Sequence, residues 1–182
     1  MLTLSPLFIA IAVIISIDSK GGILFRQVRV GLNNKDFKIL KFRTMHADSE
    51  RIGLLTVGGR DPRVTKAGYV LRKYKLDELP QFFNVLSGDM SIVGPRPEVR
   101  RYVNLYNKEQ QKVLSVRPGI TDYASIEYSD ENELLAKATD PEKTYTEEIM
   151  PSKLNLNLKY IKDQSIAVDF KIMWQTALKI IG

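Results

Sequence analysis

The sequence lacks cysteine altogether and contains a single histidine, His46, among its 182 residues. Without cysteine, disulfides and thiolate metal sites are excluded, and a reducing compartment is compatible with the composition. Any Ser-His-Asp mechanism would have to use His46, and no catalytic motif surrounds that residue. The local sequence instead predicts that His46 lies on the surface near the start of a helix.

Charged side chains are also missing from residues 1–17, where "SPLFIAIAVIISI" forms an apolar run. One helix of this length would reach about 25 Å, short of a hydrocarbon core of roughly 30 Å. A secretory signal peptide is a poor interpretation, because no basic residue precedes the run and its small residues lie inside it. Pro6 disfavours helix at Ser5, so the pattern predicts a break that separates residues 1–4 from an apolar helix. A buried core helix and a re-entrant or interfacial membrane helix both remain open.

The composition that is present, with 44% hydrophobic and 26% charged residues, is that of a folded chain. The length suits one domain, and no repeat or interdomain linker divides residues 1–182. A net charge of +6 favours anionic partners, namely nucleic acid, anionic lipid head groups or phosphorylated small molecules.

The C-terminal stretch "IAVDFKIMWQTALKIIG" has the period of an amphipathic helix. Its apolar side chains share one face, formed by Ile166, Phe170, Met173, Trp174, Ala177, Leu178 and Ile181. Polar side chains at Lys171, Gln175 and Lys179 lie opposite. This pattern predicts either a helix docked on the core or an interfacial helix with its aromatic side chain at head-group depth.

Between these ends, the spacing predicts a β-hairpin and several short helices. Residues 23–30 and 37–42 have strand patterns, and Gly31 to Asp36 has turn chemistry. Helices are predicted in "HADSERIG", ending at Gly53, in "YVLRKYK", and in "NLYNKEQQKVLSV", and a helix break is predicted at Asp140–Pro141. These segments predict an α+β fold that is mostly helical.

An acidic pair, Asp77 and Glu78, stands within "RKYKLDELPQFFNVLSGDMSIVGPRP". The apolar spacing after it predicts a helix that begins near residue 76 or 77 and ends at Gly88, with Pro80 in its first turn. Its apolar face is formed by Leu79, Phe82, Phe83 and Leu86. Both carboxylates would then lie at the helix N-terminus, where free N–H groups and the dipole stabilise negative charge. Asp77 is therefore predicted to be ionised at neutral pH, as a nucleophile must be.

Asp and Glu are also ordinary capping residues, so capping alone would account for the pair. Their adjacency favours chemistry, because one carboxylate could attack while the other holds a divalent cation. Arg72 and Arg96 could bind phosphate in bidentate fashion, and the two prolines of "GPRP" would aim Arg96. Together these features favour phosphoryl transfer through an aspartyl-phosphate type of intermediate.

Four motifs in this order, "FRQVRVG", "KFRTM", "LRKYKLDELPQFFNVLSGDMSIVGPRP" and "RPGIT", resemble a known family. It comprises the small monotopic phosphoglycosyl transferases, bacterial sugar transferases that start glycan assembly on a polyprenyl phosphate. The resemblance runs from about residue 4 to the C-terminus, and its "LDELPQ…N…GDMS…GPRP" block is highly specific. It implies a single transferase domain over residues 1–182, with a short membrane-embedded segment, residues 1–17, and a cytoplasmic catalytic part, residues 18–182.

The resemblance implies that sugar phosphate moves from a UDP-sugar to polyprenyl (undecaprenyl) phosphate, giving polyprenyl-diphosphate-sugar and UMP. It further implies a requirement for Mg²⁺, contact with membrane lipids at the cytoplasmic face of the inner membrane, and no nucleic-acid partner. An N-terminal re-entrant or interfacial helix and amphipathic interfacial helices would hold the protein at the bilayer. An oligomeric state stays open.

The resemblance also assigns roles to individual residues. Asp77 would be the nucleophile and Glu78 the metal ligand, with both carboxylates near the metal. The phosphate-binding side chains would be Arg72, Arg96 and Lys41. Further positions, in contact with substrate or structural, would be Arg43, Pro95 and Asp169. The Ser-Pro break of the family's re-entrant helix is matched by Ser5 and Pro6.

The sequence departs from the family pattern at two places. Only "MLTL" precedes Ser5, whereas family members carry the first limb of the re-entrant helix there, so either the chain is truncated or it manages with one limb. Many members continue "RPGIT" with Gly-Trp-Ala-Gln, whereas this chain continues with Asp122-Tyr123-Ala124-Ser125.

Two other functions are alternatives to the transferase. One is a catalytically idle membrane scaffold of the same fold. The presence of all the expected catalytic residues argues against it. The other is a nucleic-acid-binding module, which would need basic residues interleaved with exposed aromatic residues. The basic positions lie instead in loops around the acidic pair.

Overall fold

A computed structural model describes residues 5–47, 49, 55–58 and 61–181. The α-helices are α1 (Ser5–Asp18), α2 (Lys66–Lys73), α3 (Gln81–Leu86), α4 (Arg100–Val103), α5 (Tyr123–Glu127), α6 (Glu131–Lys137), α7 (Pro141–Thr144), α8 (Met150–Asp163) and α9 (Ile166–Ile181). The strands are β1 (Leu24–Val30), β2 (Asp36–Phe42), β3 (Ser91–Val93) and β4 (Gly119–Thr121). Among the described residues, 3₁₀ segments at Leu32–Asn34, Leu76–Glu78 and Gln110–Ser115 and a π-helical turn at Tyr145–Ile149 complete the elements. The mostly helical α+β prediction is confirmed.

The predicted β-hairpin is present. Strands β1 and β2 pair antiparallel, from Leu24 opposite Phe42 to Val30 opposite Asp36. Asn33 and Asn34 in the connection have φ of 54° and 62°, a left-handed conformation that asparagine tolerates better than most residues. The free edge of β2 is closed by the Asn84 side chain, which donates to Lys38 O and accepts from Leu40 N, each at 2.9 Å. The hairpin and α3 are thereby held together.

A second pair of strands was not predicted. Strands β3 and β4 are parallel, with Ser91 opposite Gly119 and Val93 opposite Thr121. Their backbones approach so closely that a Cβ on Gly119 would lie 2.2 Å from Gly94 N. Only glycine fits such an approach. This pairing brings the "GPRP" segment beside the residues that follow "RPGIT".

The helix predicted over "NLYNKEQQKVLSV" is wrong, because α4 ends at Val103 and a 3₁₀ segment starts at Gln110. Side chains compete for the backbone between them. Asn107 Oδ1 accepts from Gln110 N, and Gln110 Oε1 accepts from Asn107 N, each at 2.9 Å. Such a reciprocal pair starts a new turn. The break at Asp140–Pro141 is confirmed, since Asp140 caps α7 and Pro141 is in its first turn.

The terminal helices each bury a narrow stripe. Helix α1 packs through Ile11 and Ile15 onto Phe42 and Leu71. Its remaining apolar side chains are largely exposed, as at Ile9, Val13, Ile14 and Ile17. It begins at Ser5 with Pro6 in its first turn, and the predicted break from residues 1–4 lies outside the described residues.

Helix α9 docks through Ile172, which is buried with Val93 and Tyr160. Most of the predicted apolar face is exposed, at Ile166, Phe170, Trp174 and Leu178, whereas Met173 packs against the core. Docking on the core and an outward apolar face therefore coexist in one helix. Among the described residues, no helix is both long and apolar enough to cross a membrane. The predicted helix end at Gly53 lies outside those residues.

Candidate active site

The acidic pair lies in a single 3₁₀ turn, Leu76–Glu78, which we call the acidic turn. It joins α2 to α3. Lys75, which directly precedes it, has a left-handed backbone conformation with φ of 55°. The prediction that both carboxylates occupy the first turn of an α-helix is wrong, because α3 begins at Gln81. Pro80 has no N–H, so it cannot donate the α-helical hydrogen bond to Leu76 O, four residues back. Leu76 O instead accepts from Leu79 N at 3.3 Å, three residues on, which is the 3₁₀ pattern.

Glu78 is held by two cations. Lys41 Nζ lies 3.1 Å from Glu78 Oε1. Arg96 forms a bidentate pair with the same carboxylate, with Nη1 at 3.2 Å from Oε2 and Nη2 donating to Oε1. Burial opposes ionisation, but Arg96 and Lys41 outweigh it and hold the pKa of Glu78 well below its usual range. Glu78 in turn raises the pKa of Arg96.

Asp77 has the opposite environment. Its side chain is buried, and Oδ1 has no hydrogen-bond partner among the described residues. Burial raises the pKa of Asp77, although the charge of Lys41 opposes the shift. Burial thus acts against the stabilisation of the charged form that a helix N-terminus would give, and ionisation of Asp77 at neutral pH stays a prediction. Adjacent carboxylates whose pKa values are pushed apart are typical of catalytic pairs.

Arg72 is on the last turn of α2, which precedes the acidic turn in the chain. Its Nε donates to Thr44 Oγ1 at 2.8 Å, and Nη1 lies 3.5 Å from Thr56 Oγ1. Burial lowers the pKa of Arg72, and the Asp77 carboxylate is the strongest opposing influence. The structure thus brings together five of the predicted side chains: Asp77, Glu78, Lys41, Arg72 and Arg96.

Three other predicted positions have structural contacts. Arg43 donates to Lys20 O and Ser19 O at 2.7 and 2.6 Å and so caps the end of α1. Asp169 Oδ1 accepts from the Tyr160 hydroxyl at 2.8 Å, which links α9 to α8. Pro95 is buried, and its carbonyl accepts from Gly119 N at 3.0 Å. Of the two roles left open for Arg43, Pro95 and Asp169, these contacts support the structural one.

Sequence reasoning missed Gln81, Asn84 and Asp122. Gln81 is fully buried, and neither amide atom has a partner among the described residues. Gln81 and Asn84 lie three residues apart on α3, opposite the apolar face, and this spacing was a readable signal. Asp122 is fully buried and caps α5, and the Asp-x-x-Ser pattern was its only signal.

The side chains of the site include carboxylate oxygens, which are the ligands that Mg²⁺ prefers. No group of three His, Cys, Asp or Glu side chains suited to a metal occurs in the part of the chain that the structure describes. His46 is exposed. Mg²⁺ commonly uses only one or two carboxylates and completes its shell with water and substrate phosphates. The unpartnered Oδ1 of Asp77 fits such a shared site, and Glu78 would join it by exchanging one of its contacts with Arg96 and Lys41 for the ion.

The profile of a family described as "Bacterial sugar transferase" matches residues 1–182. The chain is 41% identical over 180 residues to UDP-N-acetylgalactosamine-undecaprenyl-phosphate N-acetylgalactosaminephosphotransferase of Aeromonas hydrophila, covering 97% of this chain and 40% of that protein. It is 37% identical over 183 residues to UDP-glucose:undecaprenyl-phosphate glucose-1-phosphate transferase of Escherichia coli K12, covering 98% and 37%. The uncharacterized sugar transferase EpsL of Bacillus subtilis is 38% identical over 159 residues, covering 87% and 70%. The chain thus spans less than half the length of the first two relatives.

Proposed function

Since the chain belongs to the bacterial sugar transferase family, we propose that it transfers a sugar 1-phosphate from a UDP-sugar to polyprenyl phosphate. The products are polyprenyl-diphosphate-sugar and UMP. The names of two relatives support both substrates, because each contains a UDP-sugar and undecaprenyl phosphate. The reaction would be the first membrane step of polysaccharide or glycoconjugate synthesis.

The observation that carries the proposal is the contrast between the two carboxylates of the acidic turn. Glu78 is neutralised by Lys41 and Arg96, whereas Asp77 is buried with an unpartnered oxygen. A poorly solvated carboxylate next to a fixed positive site is suited to attack an anionic phosphorus centre. Capping of a helix would require neither feature.

We propose a covalent route in two displacements. An oxygen of Asp77 attacks the β-phosphorus of the UDP-sugar, and the bond to the α-phosphate oxygen breaks to release UMP. A phosphate oxygen of the lipid acceptor then attacks the same phosphorus and restores the Asp77 carboxylate. Arg72, Arg96 and Lys41 would stabilise the negative charge on the transferred group. Two displacements predict ping-pong kinetics.

The carboxylate oxygens of the acidic turn are of the kind that Mg²⁺ binds, and the family resemblance supports its use. Glu78, together with Asp77, would hold the cation. When bound, it would offset the charge of the diphosphate.

We further propose that the protein acts on the cytoplasmic face of the inner membrane. The outward apolar side chains of α1 and α9, with Phe83 and Leu86 of α3, support contact with lipid. An open apolar groove of about 490 Å³ lies between α1, the base of the hairpin and α3. Its lining is formed by Phe8, Ile9, Ala12, Ile23, Leu24, Phe42 and Phe83. It suits the isoprenoid chain of the acceptor, and Phe42 directly follows Lys41 on β2.

The test is UMP release from a panel of UDP-sugars with polyprenyl phosphate and Mg²⁺. With labelled sugar donor and no lipid, we expect label on the peptide that contains Asp77, and Asp77→Asn should abolish it. Turnover without any trapped adduct would replace the covalent route by direct displacement. Absence of UMP release with every donor would favour an idle scaffold.

A further inference from the structure

Arg96 sits in a segment whose backbone is anchored at every residue from 94 to 98; we call it the arginine loop. Four of its anchors are Gly94 N to Thr121 O at 3.0 Å, Gly119 N to Pro95 O at 3.0 Å, Arg29 Nη1 to Pro97 O at 3.0 Å, and Val30 N to Glu98 O at 2.9 Å. The remaining anchor is a carboxylate, since Arg96 N donates to Asp122 Oδ2 at 3.1 Å. Asp122 thus holds the one residue of the loop whose side chain reaches Glu78.

Helix capping explains only half of the Asp122 contacts. Its Oδ1 accepts from Ser125 N at 2.7 Å, which is an ordinary N-cap of α5. Its Oδ2 instead bonds a residue far away in the sequence, and the side chain is fully buried. A capping serine or threonine would satisfy α5 without burying a carboxylate, which is costly unless both oxygens are bonded. The second contact therefore calls for its own explanation.

Arg96 has to change partner if it binds substrate through the edge of its guanidinium that now faces Glu78. Nη1 and Nη2 at this edge donate to the Glu78 carboxylate in bidentate fashion. The same edge can bind a donor phosphate with two parallel hydrogen bonds only when it turns away from the carboxylate. The turn requires the backbone at Arg96 to keep its position while the side chain moves.

We propose that Asp122 is a positioning residue of the transferase, which holds the Arg96 backbone while the guanidinium exchanges Glu78 for a phosphate of the nucleotide sugar. This inference rests on the proposed function. Asp122 does not itself contact substrate. It acts through Arg96, and it ties the geometry of the arginine loop to α5.

The test compares two capping aspartates. Asp140 caps α7 in the same way, with Oδ1 accepting from Lys143 N at 3.0 Å, but it is exposed and makes no contact with the arginine loop. In Asp122→Asn the amide oxygen can retain the cap of α5, while the amide N–H₂ faces the Arg96 N–H donor to donor. Asp140→Asn is the matched control, and Asp122→Ser is a second variant that retains a cap but lacks the second acceptor.

Hydrogen exchange of the Arg96 amide and kcat/KM for the UDP-sugar are measured together. We expect faster exchange at Arg96 and a roughly tenfold to hundredfold loss of kcat/KM in both Asp122 variants, and neither change in Asp140→Asn. When Arg96 is already replaced by lysine, Asp122→Asn should lower kcat/KM by a much smaller factor.

Unchanged exchange at Arg96 and unchanged kinetics in the Asp122 variants would overturn the proposal. An equal loss of kcat/KM on Asp122→Asn in the wild-type chain and in Arg96→Lys would also overturn it. Loss of folding in both variants would also overturn it, because Asp122 would then be a determinant of the fold. If the wild-type chain releases no UMP but the exchange difference is present, the proposed function fails and the link from Asp122 to Arg96 stands.

Discussion

At the scale of single residues, the two carboxylates of the acidic turn differ in what surrounds them. Their adjacency and the arginines at positions 72 and 96 were readable from the sequence. The direction of the Asp77 pKa was not, because it depends on burial by residues distant in the chain. The contact between Lys41 and Glu78 was equally hidden, since it joins β2 to the acidic turn.

Replacing each carboxylate by its isosteric amide should change stability in opposite directions. Glu78→Gln leaves the partly buried Lys41 and Arg96 without their counter-ion and should destabilise the fold by roughly 1–3 kcal/mol. Asp77→Asn removes a buried charge with one unpartnered oxygen and should raise the melting temperature at neutral pH. Denaturant unfolding at pH 7 measures both, and a loss of stability in Asp77→Asn would show that Asp77 is well paired.

The pH dependence of these two groups has opposite signs. The folded pKa of Glu78 is lowered, so its contribution is present above its ordinary pKa of 4.5 and is lost as pH falls through the folded value. The folded pKa of Asp77 is raised, so its contribution weakens as pH rises from its ordinary 3.8 through the folded value. Wild-type stability relative to Glu78→Gln should therefore shrink on acidification. A constant difference down to the acid transition would contradict the Glu78 assignment.

Arg96→Lys keeps the charge but loses the planar fork. Because the guanidinium binds two oxygens in parallel, an ammonium cannot reproduce the geometry. We expect turnover to fall roughly tenfold to a hundredfold. Steady-state kinetics measure the loss, and near wild-type values would make Arg96 peripheral to the reaction.

At the scale of elements, periodicity located the terminal helices but not the faces that pack. In α9, most of the predicted apolar stripe faces outward, and the buried side chain is Ile172, which lies outside that stripe. Periodicity reports which side chains avoid water, and both protein core and lipid satisfy that condition. Strands β3 and β4 escaped prediction for another reason, since three-residue strands have no measurable alternation.

Two side chains on α9 should separate folding from lipid contact. Ile172 is 0% exposed and Trp174 is 67% exposed. Ile172→Ala should cost about 2–5 kcal/mol of unfolding free energy through a cavity. Trp174→Ala should change stability by no more than about 0.5 kcal/mol and weaken vesicle binding. Unfolding and vesicle sedimentation are measured on both variants, and equal vesicle binding by wild type and Trp174→Ala would remove α9 from the lipid contact.

At the scale of the whole molecule, apolar surface and positive charge act together. The net charge is +6, and the outward sides of α1, α3 and α9 are apolar. We expect the protein to bind vesicles with anionic lipid more tightly than neutral vesicles, and added salt to reduce only that difference. Co-sedimentation at two salt concentrations measures it. Recovery of all the protein in the supernatant with both vesicle types would contradict membrane association.

The parallel pairing of β3 with β4 has a consequence for the order of folding. It joins residues 91–93 to residues 119–121, and parallel strands separated by intervening chain pair slowly because the loop between them must close first. The hairpin and the acidic turn, by contrast, are made within the first half of the chain. During synthesis, Asp77, the proposed nucleophile, would therefore be in place before Arg96 has a fixed position beside Glu78. We expect the chain to acquire competence for reaction in its last folding step, when the segment after residue 118 closes over the arginine loop.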